Sequence, residues 1–280
     1  MPLFVQPLAS KRAARALSAL SALSALSALS ALSALSALSA LLAALAPQSA
    51  AAADVQVAVA ANFALPLERL GPGFTAATGH TLKSSSGATG KFEAQILAGA
   101  PFEVLLAADE ATPRRLVASG HAVAGSAFTY AIGRLVLWSR QPGLVDADGA
   151  VLATGRFEHL AIANPRTAPY GAAALQVLRA RGLDAALAGR LVTAESIGQA
   201  YQFVATGNAE LGFVALSQLN VPGRSAGGSQ WLVPAALHDE IRQDAVLLKA
   251  GEHNPAAAAL LAYLKTPAAR ELIKAFGYGG

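Results

Sequence analysis

The sequence contains no cysteine, and only 14% of its 280 residues are charged. Without cysteine the chain cannot form disulfides, thiolate-ligated zinc sites or a cysteine nucleophile. The formal net charge of +4 would favour a nucleic-acid partner if the basic residues belonged to the folded chain. However, residues 1–53 hold three of the 21 basic residues and no acidic residue, which leaves 18 basic against 17 acidic residues beyond them. That remainder has a net charge of +1, so the sequence argues against nucleic acid.

The first 53 residues have the pattern of an export signal. Lys11, Arg12 and Arg15 precede eight consecutive Ala-Leu-Ser triplets, and a run of small residues follows up to Ala53. A basic start, an apolar stretch and small residues at the end are typical of secretory signal peptides. The apolar stretch exceeds the ~20 residues that span a bilayer, so an uncleaved anchor is the alternative. We predict export to the periplasm with cleavage near Ala53.

Beyond residue 53, short apolar runs alternate with Ala- and Leu-rich helical segments. This alternation predicts an α/β fold whose sheets are mostly parallel and flanked by helices. Two such series are joined by one long predicted strand at residues 128–138, which predicts two lobes with a ligand cleft between them. We assign residues 54–129 and 236–280 to the first lobe and residues 130–235 to the second.

Small, hydroxylic or amide residues stand at four of the predicted strand-to-helix junctions, two in each lobe. These junctions are residues 60–63, 86–90, 168–171 and 195–198. The first N–H groups of a helix have no internal partner and the helix dipole adds positive potential there, so helix starts bind anions. In open α/β sheets these junctions line the crevice at the carboxyl ends of the strands. Four of them could enclose one anion without a cation, although ordinary N-capping explains each junction singly.

The order and spacing of several segments resemble the periplasmic molybdate-binding proteins of ABC transporters, from about residue 55 to residue 277. The segments that carry the resemblance are AANF at 60–63, SSGATGK at 85–91, GAP at 99–101, AADE at 107–110, FTYAIGRLVLWS at 128–139, NPRTAPYG at 164–171, SIGQA at 196–200 and LGFVA at 211–215. The resemblance implies a hinged, two-lobed periplasmic-binding-protein fold of type II. In that family two helix starts from each lobe hold the oxyanion.

Matching positions assign the oxyanion site to four residues, which are Asn62, Thr89, Tyr170 and Ile197. By the resemblance, the first two bind through side chain and backbone, and the last two donate backbone N–H groups. Two positions depart from the family pattern. Ala61 stands where some members have a hydroxyl, and Ala215 stands where Ser-type members have a ligand-contacting tyrosine. The chain therefore resembles the Asn-type subgroup.

The resemblance implies that a monomeric protein captures molybdate, and also tungstate, for the membrane permease of an ABC importer. It implies closure about a hinge without catalysis and without a cofactor, and molybdenum would be present only as bound molybdate. Cavity size cannot be read from sequence, so sulfate or another tetrahedral oxyanion is the first alternative. A ligand-sensing domain or a periplasmic enzyme on the same fold is the second.

Other patterns carry less weight. Residues 85–92 lack two of the residues that a phosphate-binding loop requires, since Ser85 stands in place of glycine and Phe92 in place of serine or threonine. The five histidines have no metal-binding spacing and no cysteine companion. The charged run at residues 239–244 is typical of a solvated surface.

Overall fold

A computed structural model describes residues 52–279. The predicted leader, residues 1–53, lies outside the described residues except for its last two positions. The choice between a cleaved signal and an uncleaved anchor falls there too, and both remain predictions. In the described part of the chain, no helix combines the length and the apolar character that crossing a membrane would need.

Ten strands of the described residues form two five-stranded sheets. In chain order they are β1 (Asp54–Ala60), β2 (Thr81–Gly87), β3 (Val104–Leu106), β4 (Phe128–Gly133), β5 (Leu135–Ser139), β6 (Leu160–Ala163), β7 (Leu191–Ala194), β8 (Leu211–Ala215), β9 (Ser229–Leu232) and β10 (Ile241–Leu247). The first sheet has the order β2-β1-β3-β10-β4, and the second has the order β7-β6-β8-β5-β9. Below, each lobe means one of these sheets with the helices that pack on it.

Helices connect most of the strands. In chain order the α-helices are α1 (Ala64–Thr78), α2 (Thr89–Leu97), α3 (Ala111–Ala118), α4 (Val151–Thr154), α5 (Pro169–Ala180), α6 (Asp184–Leu187), α7 (Ile197–Thr206), α8 (Leu216–Leu219), α9 (Pro255–Tyr263) and α10 (Pro267–Ala275). Short 3-10 turns occur at Ala61–Phe63, Ala188–Arg190, Ala235–Leu237 and Lys249–Gly251. The first of these turns leads directly from β1 into α1.

Both sheets are mixed. In the first, β1 pairs in parallel with β2 and β3, whereas β10 pairs antiparallel with β3 and β4. In the second, β6 pairs in parallel with β7 and β8, whereas β5 pairs antiparallel with β8 and β9. The predicted two-lobed α/β class is confirmed. The antiparallel pairs all involve β5 or β10, the two strands that begin directly after the chain crosses between the sheets.

The single long strand predicted at residues 128–138 is in fact two strands in different sheets. β4 keeps the chain in the first sheet as far as Gly133, beyond the predicted lobe boundary at 129, and β5 starts the second sheet at Leu135. The crossing needs glycine because a Cβ at position 133 would collide with Tyr170 Oη and lie 2.6 Å from Gln243 Nε2. The apolar pattern continues through the crossing, so periodicity alone cannot locate it.

The solvated surface predicted at residues 239–244 is wrong for half of that run, since three of its six residues are buried. Residues 241–247 form β10, which lies between β3 and β4 in the first sheet. Gln243 is fully buried and Asp244 is 8% exposed, whereas Arg242 is exposed. This alternation has the two-residue period of a strand, but the charged side chains conceal it.

The C-terminal helices complete the first lobe, as predicted. Leu260 of α9 and Ile273 of α10 join Val57 and Phe63 in one buried apolar cluster. A second cluster fills the second lobe and also includes residues from the strand ends of the first lobe, which are Ala60, Ala88 and Ala108. The two lobes therefore share a continuous buried contact at the carboxyl ends of their parallel strands.

Candidate anion-binding site

The four residues predicted to hold the anion are all buried at helix starts that follow parallel strands. Asn62 lies in the 3-10 turn after β1, Thr89 begins α2 after β2, Tyr170 is the second residue of α5 after β6, and Ile197 begins α7 after β7. None of these residues is more than 4% exposed. Tyr170 and Ile197 belong to the same apolar cluster as Ala60 and Ala88, which lie in the first two junctions. Their roles toward a ligand stay predictions.

The junctions of the two lobes contact each other directly. The N–H of Gly90, at the start of α2, donates to the carbonyl oxygen of Thr167, just before α5, over 2.9 Å. At the other pair of junctions, a Cβ added to Gly198 in α7 would lie 3.2 Å from the Cβ of Ala61. Each helix start of the second lobe thus lies against a junction of the first.

Side-chain capping does not account for most of these junctions. Alanine precedes the 3-10 turn, α2 and α5, and none of these alanines has a side chain that can cap. Among the four junctions, only the one at α7 has a capping side chain, because Ser196 Oγ accepts from the N–H of Gln199. The first-turn N–H groups of Thr89, Tyr170 and Ile197 have no side-chain or loop acceptor within residues 52–279. Uncommitted N–H groups at helix starts carry positive potential and can bind an anion.

The Thr89 side chain is placed to donate as well. Its Oγ1 accepts from the buried N–H of Ala108 at 2.9 Å, which leaves the hydroxyl hydrogen free. The hydroxyl can therefore donate to a further acceptor, and the ligand-binding role that the resemblance implies for Thr89 stays a prediction.

The Asn62 side chain is committed differently from the expected donor role. Its Nδ2 donates to Gln243 Oε1 and to Tyr278 Oη, both at 2.9 Å. Its Oδ1 is buried and has no hydrogen-bond partner. In this arrangement the side chain therefore offers an acceptor and no donor.

Two buried side-chain atoms of residues 52–279 lack partners, and both lie at the contact between the lobes. They are Asn62 Oδ1 in the first lobe and Thr167 Oγ1 in the second. Buried polar atoms normally have partners, so these two atoms mark polar positions of the contact that the protein itself does not satisfy.

A polar network that sequence reasoning missed connects the junctions. Gln243 Nε2 donates to Tyr170 Oη and Tyr130 Oη donates to Gln243 Oε1, each at 3.0 Å. Tyr278 Oη donates to the carbonyl oxygen of Asn62 at 2.9 Å. Burial raises the pKa of all three tyrosines, which keeps them as neutral hydroxyls. The local sequence carries no signal that could have revealed Gln243, because the polar residues at 242–244 resemble a surface segment.

A cleft of about 320 Å³ opens between the lobes beside the helix starts. It is lined by Gly90 and Thr167 and by several charged residues, most of which are paired with other side chains. Arg115 pairs with Glu93 at 2.7 Å. The Asp109 carboxylate accepts from the N–H of Thr112 at 2.7 Å, and burial raises the pKa of this carboxyl. We interpret this cleft as the entrance to the site.

Comparison with known proteins identifies the family. Residues 55–279 match the family model described as bacterial extracellular solute-binding protein. The chain belongs to this family. Among solute-binding proteins of known name, the molybdate-binding protein ModA of Azotobacter vinelandii is 60% identical over 231 residues, which cover 82% of this chain and 92% of that protein. ModA of Rhodobacter capsulatus is 54% identical over 229 residues, which cover 82% of this chain and 89% of that protein.

A solved solute-binding protein has the same fold. The structure of the periplasmic molybdate-binding protein of Azotobacter vinelandii superposes with a TM-score of 0.79 at 45% sequence identity. The superposition covers 81% of this chain and 99% of that one. The match therefore includes both lobes and all four junctions.

One group of metal-ligating side chains lies elsewhere on this solute-binding protein. Ligand atoms of Glu158, His159 and Glu210 come within 4.8 Å of one another, at the end of β6 opposite to the helix starts. Glu210 Oε2 already accepts from the backbone N–H of His159 at 2.9 Å. The group is separate from the candidate site.

Proposed function

We propose that this protein captures molybdate, and also tungstate, in the periplasm and delivers it to the membrane permease of an ABC importer. The observation that carries the proposal is the set of uncommitted first-turn N–H groups, contributed by both lobes to one buried contact. The two ModA relatives, at 54–60% identity, indicate which anion this contact takes. The protein acts as a monomer in this proposal and performs no chemical step.

Hydrogen-bond donors can supply the affinity without a cation. Hydrogen bonds to a charged group contribute about 1.5–3 kcal/mol each. The N–H groups of Thr89, Tyr170 and Ile197 and the Thr89 hydroxyl would together contribute about 6–12 kcal/mol. A micromolar complex needs about 8 kcal/mol after the cost of ordering and closure. These four donors reach only the lower edge of that requirement, so further donors are expected.

The charges around the contact favour a fully ionised oxyanion. Every oxygen of a molybdate or tungstate dianion accepts hydrogen bonds, whereas a protonated phosphate also needs an acceptor opposite its hydroxyl. Two carboxylates at the junctions already have partners, since Glu195 pairs with Lys91 and Asp109 accepts from Thr112. A protonated oxyanion would therefore have to compete with these partners for an acceptor.

Hinge closure accounts for capture and release. The lobes are linked by two crossings, at Arg134 and at residues 233–240. Closure about them brings Gly90 to Thr167 and Lys91 to Glu195, the contacts seen between the lobes. The closed form encloses the anion and is the form presented to the permease.

The test is a calorimetric titration of the purified protein with molybdate, tungstate, sulfate and phosphate, accompanied by melting curves. Molybdate and tungstate should bind with micromolar or tighter affinity. At a hundredfold excess over Kd they should stabilise the fold by about 2.7 kcal/mol. Equal binding of sulfate would favour a general receptor for tetrahedral oxyanions. The absence of any response to the four anions would overturn the proposal.

A further inference from the structure

Gln243 links the two lobes next to the candidate site. It is fully buried on β10, and a β-bulge interrupts the pairing with β4 directly after it. Its Oε1 accepts from Asn62 Nδ2 at 2.9 Å, and its Nε2 donates to Tyr170 Oη at 3.0 Å. Asn62 belongs to the first lobe and Tyr170 to the second. One carboxamide thus contacts a predicted ligand-binding residue of each lobe, and bulges commonly re-aim side chains at functional sites.

The observed orientation of the carboxamides leaves two mismatches. Asn62 uses both hydrogens of Nδ2 internally, while its buried Oδ1 has no donor. Tyr130 has a single hydroxyl hydrogen but lies 3.0 Å from two acceptors, the Ala107 carbonyl oxygen and Gln243 Oε1. A dianion that only accepts hydrogen bonds would gain nothing from Asn62 in this orientation.

A concerted half-turn of both carboxamides removes both mismatches. Gln243 Nε2 then donates to Asn62 Oδ1 and to Tyr130 Oη. Tyr130 gives its hydrogen to the Ala107 carbonyl oxygen, and Tyr170 Oη donates to Gln243 Oε1. Tyr278 Oη, which lies 2.9 Å from the turned Asn62 oxygen, donates to it, and the Ser217 hydroxyl still donates to the Asn62 carbonyl oxygen. Hydroxyl groups can donate or accept, so every member of the network except Asn62 Nδ2 has a partner. The half-turn leaves two N–H groups of Asn62 Nδ2 free for a ligand.

We propose that Gln243 is the positioning residue that sets the Asn62 carboxamide, so that oxyanion binding selects the turned orientation in which Asn62 donates. The inference rests on the proposed function and deepens it, because it names the residue that decides whether this junction presents a donor or an acceptor. It also supplies the additional donors that the affinity requires. Through Tyr170, the same carboxamide connects the orientation of Asn62 to the start of α5 in the second lobe.

The surroundings of Gln243 make a glutamate at this position a sensitive probe. The groups that face it are the hydroxyls of Tyr130 and Tyr170, which stay neutral because burial raises their pKa. Asp244 follows it on β10, and the N–H of Asp244 contacts the carbonyl oxygen of Asp109 at 3.3 Å. Burial and these two acidic residues would raise the pKa of a glutamate at 243. An ionised glutamate can only accept hydrogen bonds, so it would keep Asn62 Nδ2 as its donor. A protonated glutamate has an O–H group that can donate to Asn62 Oδ1.

The experiment titrates molybdate into the wild-type protein, Gln243→Glu and Gln243→Met by calorimetry, between about pH 5.5 and 8.5. Gln243→Glu should bind about 10- to 100-fold more weakly than the wild type at the alkaline end, and should recover at least about tenfold at the acidic end. Gln243→Met, which has neither a donor nor a charge, should bind more weakly than the wild type by a factor that does not change with pH. Melting curves of each unliganded variant verify folding.

The titrations distinguish failure of the inference about Gln243 from failure of the proposed function. Wild-type affinity in Gln243→Glu at the alkaline end, or a loss that is the same at every pH, would overturn the inference and leave the proposed function intact. A wild-type protein that does not bind molybdate would overturn both. A second measurement does not depend on whether the variants fold. In the 15N-labelled wild type, molybdate should shift the side-chain amide resonances of Asn62, and unchanged resonances beside a shifted Tyr170 backbone amide would contradict the half-turn.

Discussion

Substitution of Gly90 by alanine is expected to weaken ligand binding without weakening the fold. Gly90 is the second residue of α2, and its N–H donates to the carbonyl oxygen of Thr167 across the contact between the lobes. A Cβ at position 90 would lie 3.1 Å from both the Cα and the carbonyl oxygen of Thr167. Both are backbone atoms that cannot rotate away, so the lobes would have to separate by a few tenths of an ångström.

The two consequences for the closed form can be added. Overpacking typically costs about 1–3 kcal/mol. Loss of the hydrogen bond between the lobes costs about 0.5–1.5 kcal/mol. The sum raises Kd by roughly 10- to 1,000-fold, since 1.4 kcal/mol corresponds to a factor of ten. In the proposed open form this contact would be absent, and alanine is favoured over glycine within a helix by about 0.5–1 kcal/mol. The unliganded variant should therefore melt at the same temperature as the parent or slightly higher.

Calorimetry with molybdate and melting curves without it test both halves of this prediction. Gly189→Ala is a matched control, because a Cβ at that position would have no neighbour within 4 Å. The control should bind like the wild type. A Kd for Gly90→Ala within twofold of the wild-type value would refute the reasoning. A lower melting temperature of the unliganded variant would mean that the substitution damages the lobe itself.

Three further predictions follow from the contacts around the site. Thr89→Val should weaken molybdate binding at least about tenfold and should leave the N–H of Ala108 unpaired, whereas Thr89→Ser should stay within about threefold of the wild type. Equal losses in both variants would count against a role for the hydroxyl. Burial raises the pKa of Asp109, so the folded state holds the carboxyl proton of this residue more tightly than the unfolded state does. The contribution of Asp109 to the free energy of unfolding therefore falls as the pH rises from about 4 through the raised pKa. In urea unfolding across pH, Asp109→Asn should lack that decline, and an identical pH profile would contradict the assignment. Lys91→Met and Glu195→Gln each remove one member of an ion pair whose side chains are 47% and 65% exposed. Each substitution should change the affinity for molybdate less than about fivefold, and the change should be smaller in 1 M salt than in dilute buffer. A larger change would mean that one of these charges acts on the anion directly.

Local sequence patterns predict several elements to the residue. Apolar periodicity predicts helices at residues 64–78 and 197–206 and a strand at residues 211–215, and α1, α7 and β8 occupy those residues. β10 could not be found in this way. Its neighbours β3 and β4 are distant in sequence, and one contact between β4 and β10, from Thr129 Oγ1 to Asp244 Oδ1, spans 115 positions. Local composition carries no information about such a partner, and the alternating charges resemble a surface.

The candidate site was likewise predictable from sequence in part, in its residues but not in their side-chain orientation. The junction pattern and the family resemblance name the four residues that the structure places at helix starts on the contact between the lobes. They do not reveal how Asn62 is oriented, because its side-chain partners Gln243 and Tyr278 lie 181 and 216 positions away. The chemistry that a junction offers thus depends on residues that only the tertiary fold brings to it.

The position of β10 also determines the order in which the chain can fold during synthesis. Once Leu232 has left the ribosome, every strand of the second sheet exists, whereas the first sheet still lacks the strand that separates β3 from β4. The second lobe can therefore fold while translation continues. The first lobe must wait with two unpaired strand edges until residues 241–247 emerge, and such edges attract chaperones or other chains.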